Sequence, residues 1–140
     1  MRVARENREN HRGPGRNRIL GAGDRRRLGR PRLTRRGDIV VVALQGDSGK
    51  PRPAVVIQAD WFDALSTVVV LPLTSSLQDA AVTRIDVAPT DQNGLKVPSQ
   101  IAVDRPQTVR RMKRGPTIGR LDNDVMLAVH RSPVVFLGLA

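Results

Sequence analysis

The sequence predicts a mainly β fold of the α+β class: a small curled antiparallel sheet or barrel with short helices and a C-terminal helix, preceded by a disordered tail. Three observations lead to this prediction. Short β-branched runs follow one another from residue 38 to residue 109, helical spacing of apolar residues appears only after residue 120, and the first 35 residues show no apolar period. A chain of 140 residues can form one domain of ordinary size.

The N-terminal segment, residues 1–35, is expected to be a disordered extension of the domain at residues 36–140. Residues 1–36 carry thirteen Arg and three acids, a net of +10, whereas the rest of the chain is nearly neutral. Its few apolar side chains cannot offset the entropy of ordering. Two interpretations stay open: an anchor that binds RNA or the ribosome through counterion release, or a dispensable extension such as a mistranslated upstream frame.

The predicted strands are runs rich in β-branched residues and bounded by turn-forming residues. They occupy residues 38–44, 54–58, 67–73, 83–88 and 99–109. The fourth alternates polar and apolar residues, as a half-exposed strand does, and Pro106 interrupts the fifth. Asn93-Gly94 is the strongest local signal for a tight reversal between them.

Two helical segments are predicted. Residues 59–65 (ADWFDAL) fit one helical turn with Asp60 as its N-cap. A second helix follows the cap signal Asp122-Asn123-Asp124, and Pro133 is expected to break or kink it about two turns in.

The composition excludes several function classes. Without cysteine the chain can form neither disulfides nor thiolate zinc sites, and no run reaches the roughly 18 apolar residues of a membrane span. We therefore expect a cytoplasmic protein, with no membrane partner. The only histidines are His11 and His130, which argues against a two-histidine ribonuclease. No metal or other cofactor is expected, because a helix cap explains the acidic pair Asp122 and Asp124.

The candidate catalytic residues stand at the ends of two predicted strands. Arg52 lies between two prolines at the mouth of the second strand, and Thr74 follows the third. A guanidinium offers a planar fork of donors to phosphate oxygens and a hydroxyl adds one more bond, so this pair suits a phosphodiester. From the residues alone, Arg52 is equally well explained as a surface arginine, and Thr74 as a hydroxyl that caps its strand.

Further candidates for RNA binding adjoin these two or belong to the one dense basic patch of residues 36–140. They are Lys50, Ser75, Ser76, Arg105, Arg110 and Arg111. The patch is interpreted either as a track for phosphates or as an ordinary solvated face.

Five segments occur in a characteristic order. They are Arg36-Gly37-Asp38-Ile39-Val40, Arg52-Pro53-Ala54-Val55-Val56-Ile57, Val70-Leu71-Pro72-Leu73-Thr74-Ser75, Pro98-Ser99 through Asp104 to Thr108-Val109, and Gly119-Arg120-Leu121. Together they resemble the MazF/PemK family of toxin endoribonucleases, the toxin components of type II toxin–antitoxin systems. The resemblance spans about residues 36–139, and it departs from the family at Asp104-Arg105-Pro106-Gln107-Thr108, where many members read Asp-Gln-Ile-Arg-Thr.

The resemblance implies an SH3-like barrel, a homodimer and metal-independent, sequence-selective cleavage of single-stranded RNA. The 2′-OH would attack the adjacent phosphorus and leave 2′,3′-cyclic phosphate and 5′-OH ends. The resemblance also implies a cognate antitoxin whose acidic C-terminal segment lies over the RNA groove. Carried over residue by residue, the family's catalytic arginine and threonine fall on Arg52 and Thr74.

Two other functions stay open at this point. A gyrase poison of the CcdB type would use a similar barrel and act through its C-terminal residues, which here are Leu137-Gly138-Leu139-Ala140. A noncatalytic RNA-binding barrel would owe its affinity to the basic tail.

Overall fold

The computed structural model describes residues 34–46 and 49–140, so the tail predicted for residues 1–35 lies outside the described residues except at its end. Within them, seven strands form an antiparallel sheet. The strands are β1 Asp38–Ala43, β2 Pro51–Val56, β3 Thr67–Thr74, β4 Arg84–Val87, β5 Ser99–Ala102, β6 Gln107–Arg110 and β7 Thr117–Arg120. A helix, α1, spans Asn123–Phe136, and single 3₁₀ turns span Asp60–Phe62 and Arg111–Lys113. The mainly β fold with a C-terminal helix is confirmed.

Strand β3 changes partners along its length, which curls the sheet into a half-barrel. The strand order is β4-β5-β3-β2-β1-β7, and β6 also pairs with β3. The first half of β3 pairs with β6, and its end pairs with β5 through Leu73–Ile101 and Thr74–Gln100. The end of β3 therefore lies at a junction of several strands, where side chains from distant parts of the chain can meet.

The sheet buries an apolar cluster on each face, because successive residues of a strand point to opposite sides. One cluster includes Ile39, Val55 and Leu71 and packs against α1 through Val129. The other consists of Val40, Val42, Leu44, Ala54, Val56, Val68 and Val70. Strands that are buried on both faces read as continuous apolar runs, as β1 and β3 do in the sequence.

Helix α1 begins where the sequence predicts, but it does not break at Pro133. The side chain of Asp122 caps it by accepting a hydrogen bond from Val125 N. The helix then continues through Pro133 to Phe136, so a break at Pro133 is wrong, while the alternative, a kink, stays a prediction. Pro133 has no N–H to donate to the carbonyl of Val129, so α1 loses that one backbone hydrogen bond, but the carbonyl of Pro133 still accepts from Leu137 N at 2.9 Å. In the described part of the chain, no helix has both the length and the apolar character that crossing a membrane requires.

The short turn after β2 is present, but Asp60 is not its N-cap. Ala59 holds that position and makes no side-chain cap bond. Asp60 instead accepts a hydrogen bond from Arg36 N at 2.8 Å and pairs with Arg35 at 3.7 Å. Burial lowers the pKa of the Arg36 guanidinium, and the charge of Asp60 opposes that shift. Asp60 therefore ties the chain entering β1 to the β2–β3 connection.

Residues 88–98, which join β4 to β5, cross β7 so closely that the two backbones are in van der Waals contact. A Cβ on Gly119 would lie 2.3 Å from the carbonyl oxygen of Asn93 and 2.5 Å from that of Gln92. The reversal predicted at Asn93-Gly94 is part of a longer connection, in which Gly94 has a φ of +69° and a Cβ on it would overlap the carbonyl oxygen of Ile118. Only glycine fits at either side of this crossing.

Replacing Gly119 with alanine is expected to lower the free energy of unfolding by about 1–3 kcal/mol, because the backbone of β7 and that of the β4–β5 connection would have to separate. Urea denaturation measures the change, with Thr117→Ala as the matched control at an exposed position of β7. A Gly119→Ala protein with an unchanged midpoint would mean that the crossing is looser than described.

Candidate functional site

A cleft of about 260 Å³ opens at the ends of β2 and β3. Its apolar part is formed by Leu44, Pro72, Leu73 and Ala102, and its polar part by Gln45, Arg52, Thr74, Ser75, Ser76, Arg105 and Gln107. Two arginines and three hydroxyl-bearing residues thus line one space, and none of the described residues that line it carries a carboxylate. Such a lining favours an anion over a cation or an apolar ligand.

The register of β2 and β3 explains how Arg52 and Thr74 come together. The strands are antiparallel, and Ala54 lies opposite Pro72. Arg52 and Thr74 are each two residues beyond that pair, and two residues are one full side-chain period of a strand. Both side chains therefore stand on the same face, and both line the cleft. The sequence predicts that Arg52 precedes the second strand. The structure differs, because β2 begins at Pro51 and Arg52 is its second residue.

The Thr74 hydroxyl makes the backbone contact that the sequence left open as an alternative role. Its oxygen accepts a hydrogen bond from Ser76 N at 3.1 Å. A hydroxyl has one proton to donate besides its acceptor sites. The bond from Ser76 therefore fixes the position of the oxygen, while the O–H can still donate to an anion in the cleft. The two interpretations of Thr74 are compatible.

Arg105 reaches the cleft from the connection between β5 and β6, which is held from both sides. The residue before it, Asp104, forms an ion pair with the buried Arg84 of β4. On the other side, Gln107 Oε1 accepts a hydrogen bond from Gln45 N at 3.2 Å and so joins β6 to the β1–β2 loop. The connection that carries Arg105 is thus positioned by contacts from two other segments of the chain, β4 and the β1–β2 loop.

Gln107 lines the cleft but was not among the residues singled out from the sequence. It pairs with Val70 across β3 and β6, which turns its side chain to the face that carries Thr74. The signal that could have identified it is its place in the segment Asp104 to Thr108. Without the register, however, the face of each residue in that segment is undetermined.

Of the other predicted RNA-binding residues, Ser75, Ser76 and Arg105 line the cleft. Arg110 lies along an adjoining groove, which it lines together with Lys113. That groove shares Gln45 and Gln107 with the cleft, so the two spaces adjoin at these residues.

Arg111 and Lys50 line neither the cleft nor the groove. The guanidinium of Arg111 donates from Nε to the carbonyl of Leu65 at 2.6 Å and from Nη2 to that of Phe62 at 3.4 Å. It thereby fastens the turn after β2 to the turn after β6. A contact of either residue with RNA stays a prediction.

The described residues contain no group of three His, Asp or Glu side chains placed to hold a metal ion. His130 lies on α1, with Nδ1 3.1 Å from Arg36 Nη2, in a surface contact.

The chain is similar in sequence and in fold to toxins of the MazF type. A family model described as "PemK-like, MazF-like toxin of type II toxin-antitoxin system" matches residues 35–133. The probable endoribonuclease MazF of Mycolicibacterium smegmatis is 43% identical over 107 residues, which are 76% of this chain and 98% of that protein. Among solved structures, Mycobacterium tuberculosis toxin MazF-mt6 has 25% identity and a TM-score of 0.64, over 74% of this chain and 98% of that one. A mycobacterial endoribonuclease in complex with its cognate antitoxin shares the fold, with 18% identity and a TM-score of 0.65, over 79% and 98% of the two chains.

Proposed function

The chain belongs to the PemK-like, MazF-like toxins of type II toxin–antitoxin systems, and we propose that it is an endoribonuclease that cleaves single-stranded RNA with Arg52 and Thr74 as its catalytic residues. One observation carries the proposal: a guanidinium and a hydroxyl from neighbouring strands line a single cleft in which no described lining residue is a carboxylate. An RNA phosphate in this cleft would meet donors on several sides.

The reaction that these groups can assist is transesterification within the RNA. The ribose 2′-OH attacks the adjacent phosphorus and releases its proton to water, the bond from phosphorus to O5′ breaks, and O5′ takes up a proton from water. The products are a 2′,3′-cyclic phosphate and a 5′-OH. Negative charge grows on the phosphorane oxygens, and donors already aimed at them lower the barrier, each strong donor by about 3 kcal/mol.

Within this reaction Arg52 and Thr74 have different roles. Arginine holds its proton too tightly to act as an acid or base, so we assign to Arg52 the stabilisation of charge on the phosphorane. Thr74 would donate its O–H to a second oxygen, with its own oxygen held by Ser76 N. Arg105 and the groove at Arg110 would hold the flanking phosphates and so position the strand.

The partner of such a toxin is an antitoxin. We propose that its acidic C-terminal segment occupies the same cationic cleft, which would explain inhibition by direct competition with RNA. We also propose that the toxin acts as a homodimer.

The full chain is expected to cleave single-stranded RNA in the presence of EDTA and to leave the ends given above. Mass spectrometry of the fragments identifies those ends. A DNA of the same sequence, or an RNA with 2′-O-methyl groups, is expected to stay intact because it has no attacking 2′-OH. The proposal fails if purified protein leaves RNA intact, or if its activity depends on added Mg²⁺.

A further inference from the structure

Gln107 lies where the cleft and the groove at Arg110 adjoin. Of the described residues, only Gln45 and Gln107 line both spaces. Arg52 and Arg105 line the cleft, Arg110 lines the groove, and no described residue of either lining carries a carboxylate. A phosphate backbone that contacts the cations of both spaces therefore passes Gln107.

The amide of Gln107 has a fixed orientation. A backbone N–H can only donate, so the side-chain atom that lies 3.2 Å from Gln45 N must be the acceptor oxygen, Oε1. The two N–H donors are then on Nε2, and among the residues that the structure describes this side chain makes no second hydrogen bond. Because Gln107 is half-buried beside open space, Nε2 can donate to a ligand without breaking a bond within the protein.

An amide is needed at this position if both contacts are to be made. Arginine offers donors but no acceptor, so it could not accept the bond from Gln45 N. Where many members of the family read Asp-Gln-Ile-Arg-Thr, this chain has Arg105 in the position of the glutamine and Gln107 in that of the arginine. Both side chains line the cleft. The segment thus keeps one cation and gains an acceptor that joins β6 to the β1–β2 loop.

We propose that Gln107 is a substrate-binding residue: Nε2 donates to a phosphate oxygen of the nucleotide next to the scissile one, while the bond at Oε1 holds the amide in place. The inference rests on the proposed function. A donor that is already aligned by a second bond loses little freedom when the phosphate binds, and hydrogen bonds to charged groups are the stronger ones. Gln107 guides the RNA from the cleft to the groove and takes no part in bond cleavage.

Replacing Gln107 with methionine is expected to raise KM for RNA cleavage about tenfold and to leave kcat nearly unchanged. Methionine is similar in length but cannot donate a hydrogen bond. A contact with a phosphate that does not react is equally strong in the ground state and the transition state, so its loss appears in KM. Gln92→Met is the matched control, because Gln92 is exposed and lines neither space, and it should leave both constants unchanged.

A second variant separates substrate binding from a purely structural role. Gln107→Glu keeps the acceptor for Gln45 N but replaces the donors with a negative charge, which repels phosphate. If Gln107 binds phosphate, KM for this variant is higher than for Gln107→Met. If Gln107 only tethers the β1–β2 loop, Gln107→Glu resembles the wild type more than Gln107→Met does, and the proposal is wrong.

Chemical changes in the RNA locate the contact. A methylphosphonate replaces one phosphate oxygen with a methyl group, and a set of 2′-O-methyl RNAs carries this change at one position each. In equilibrium binding to the wild type, we expect one position at which the change weakens binding about tenfold. Gln107→Met should weaken the binding of unmodified RNA by a similar factor and have little further effect at that position. Equal losses at every position would overturn the proposal.

These binding measurements do not depend on cleavage, so the two proposals can fail separately. If the protein cleaves no RNA but Gln107 remains coupled to one phosphate, the proposed function fails and the contact stands. If the protein cleaves RNA as proposed but no phosphate is coupled to Gln107, the contact is wrong and the proposed function stands. The same binding series with Gln107→Glu serves if the methionine variant fails to fold.

Discussion

Replacing Arg52 with alanine is expected to lower kcat for RNA cleavage by about 10²–10³-fold, the usual cost of removing one strong donor from a site of transition-state charge. The loss should appear mainly in kcat, because the phosphorane carries more negative charge than the ground-state phosphodiester. The fold should persist, since Arg52 is exposed and belongs to neither apolar cluster. Its place in β2 depends on backbone pairing with Val42, which alanine keeps.

Two further variants make this result specific. Arg52→Lys retains the charge but loses the planar fork, so its kcat should lie between those of the alanine variant and the wild type. Arg131→Ala removes an exposed arginine of α1 that lies outside the cleft, and it should leave kcat and KM unchanged. An Arg52→Ala protein that cleaves RNA within a few-fold of wild type in EDTA would show that the charge is stabilised elsewhere.

The strands that form the site could be predicted because their apolar runs are unusually continuous, but that continuity also conceals their register. In β3 almost every residue is apolar, so the sequence does not show which of Leu71 and Pro72 faces which cluster. The neighbouring positions of Arg52 and Thr74 follow from the pairing of Ala54 with Pro72. That pairing is a long-range contact, which local sequence patterns do not encode.

The parts that sequence reasoning missed are those in which a tertiary contact determines the local residue. Strand β7 has Gly119 in its middle because a Cβ would collide with the β4–β5 connection, and this glycine weakens the strand signal. The rule that proline interrupts a helix predicted an end at Pro133, yet α1 continues to Phe136, so the loss of one backbone hydrogen bond is not enough to end it here.

The basic patch shows the same limit for the candidate site. Arg105, Arg110 and Arg111 look alike as members of one charged run. In the structure the first lines the cleft, the second lines the adjoining groove, and the third bonds the carbonyls of the turn after β2. Charge alone could predict that the patch exists, but not which of its arginines lines a cleft or a groove and which bonds the backbone of another turn.

The largest expected effect on stability comes from the ion pair that holds Arg105 in place. The side chain of Arg84 is 5% exposed, while that of its partner Asp104 is 32% exposed. Nη1 of Arg84 also donates to the carbonyl of Thr83 at 3.1 Å, and within the described structure its Nε has no hydrogen-bond acceptor. The carboxylate of Asp104 is therefore the main group that stabilises the buried charge of Arg84.

Asp104→Ala is accordingly expected to lower the free energy of unfolding by about 3–5 kcal/mol, the cost of leaving a buried charge without its partner. The double variant Arg84→Met, Asp104→Leu should recover most of that loss, because it removes both charges and keeps apolar volume at the buried site. Urea denaturation of the single and double variants measures both changes. If Asp104→Ala costs less than about 1 kcal/mol, the pair behaves as a solvent-exposed one. In that case water reaches Arg84, and the connection that carries Arg105 is held instead by Gln107 and the β1–β2 loop.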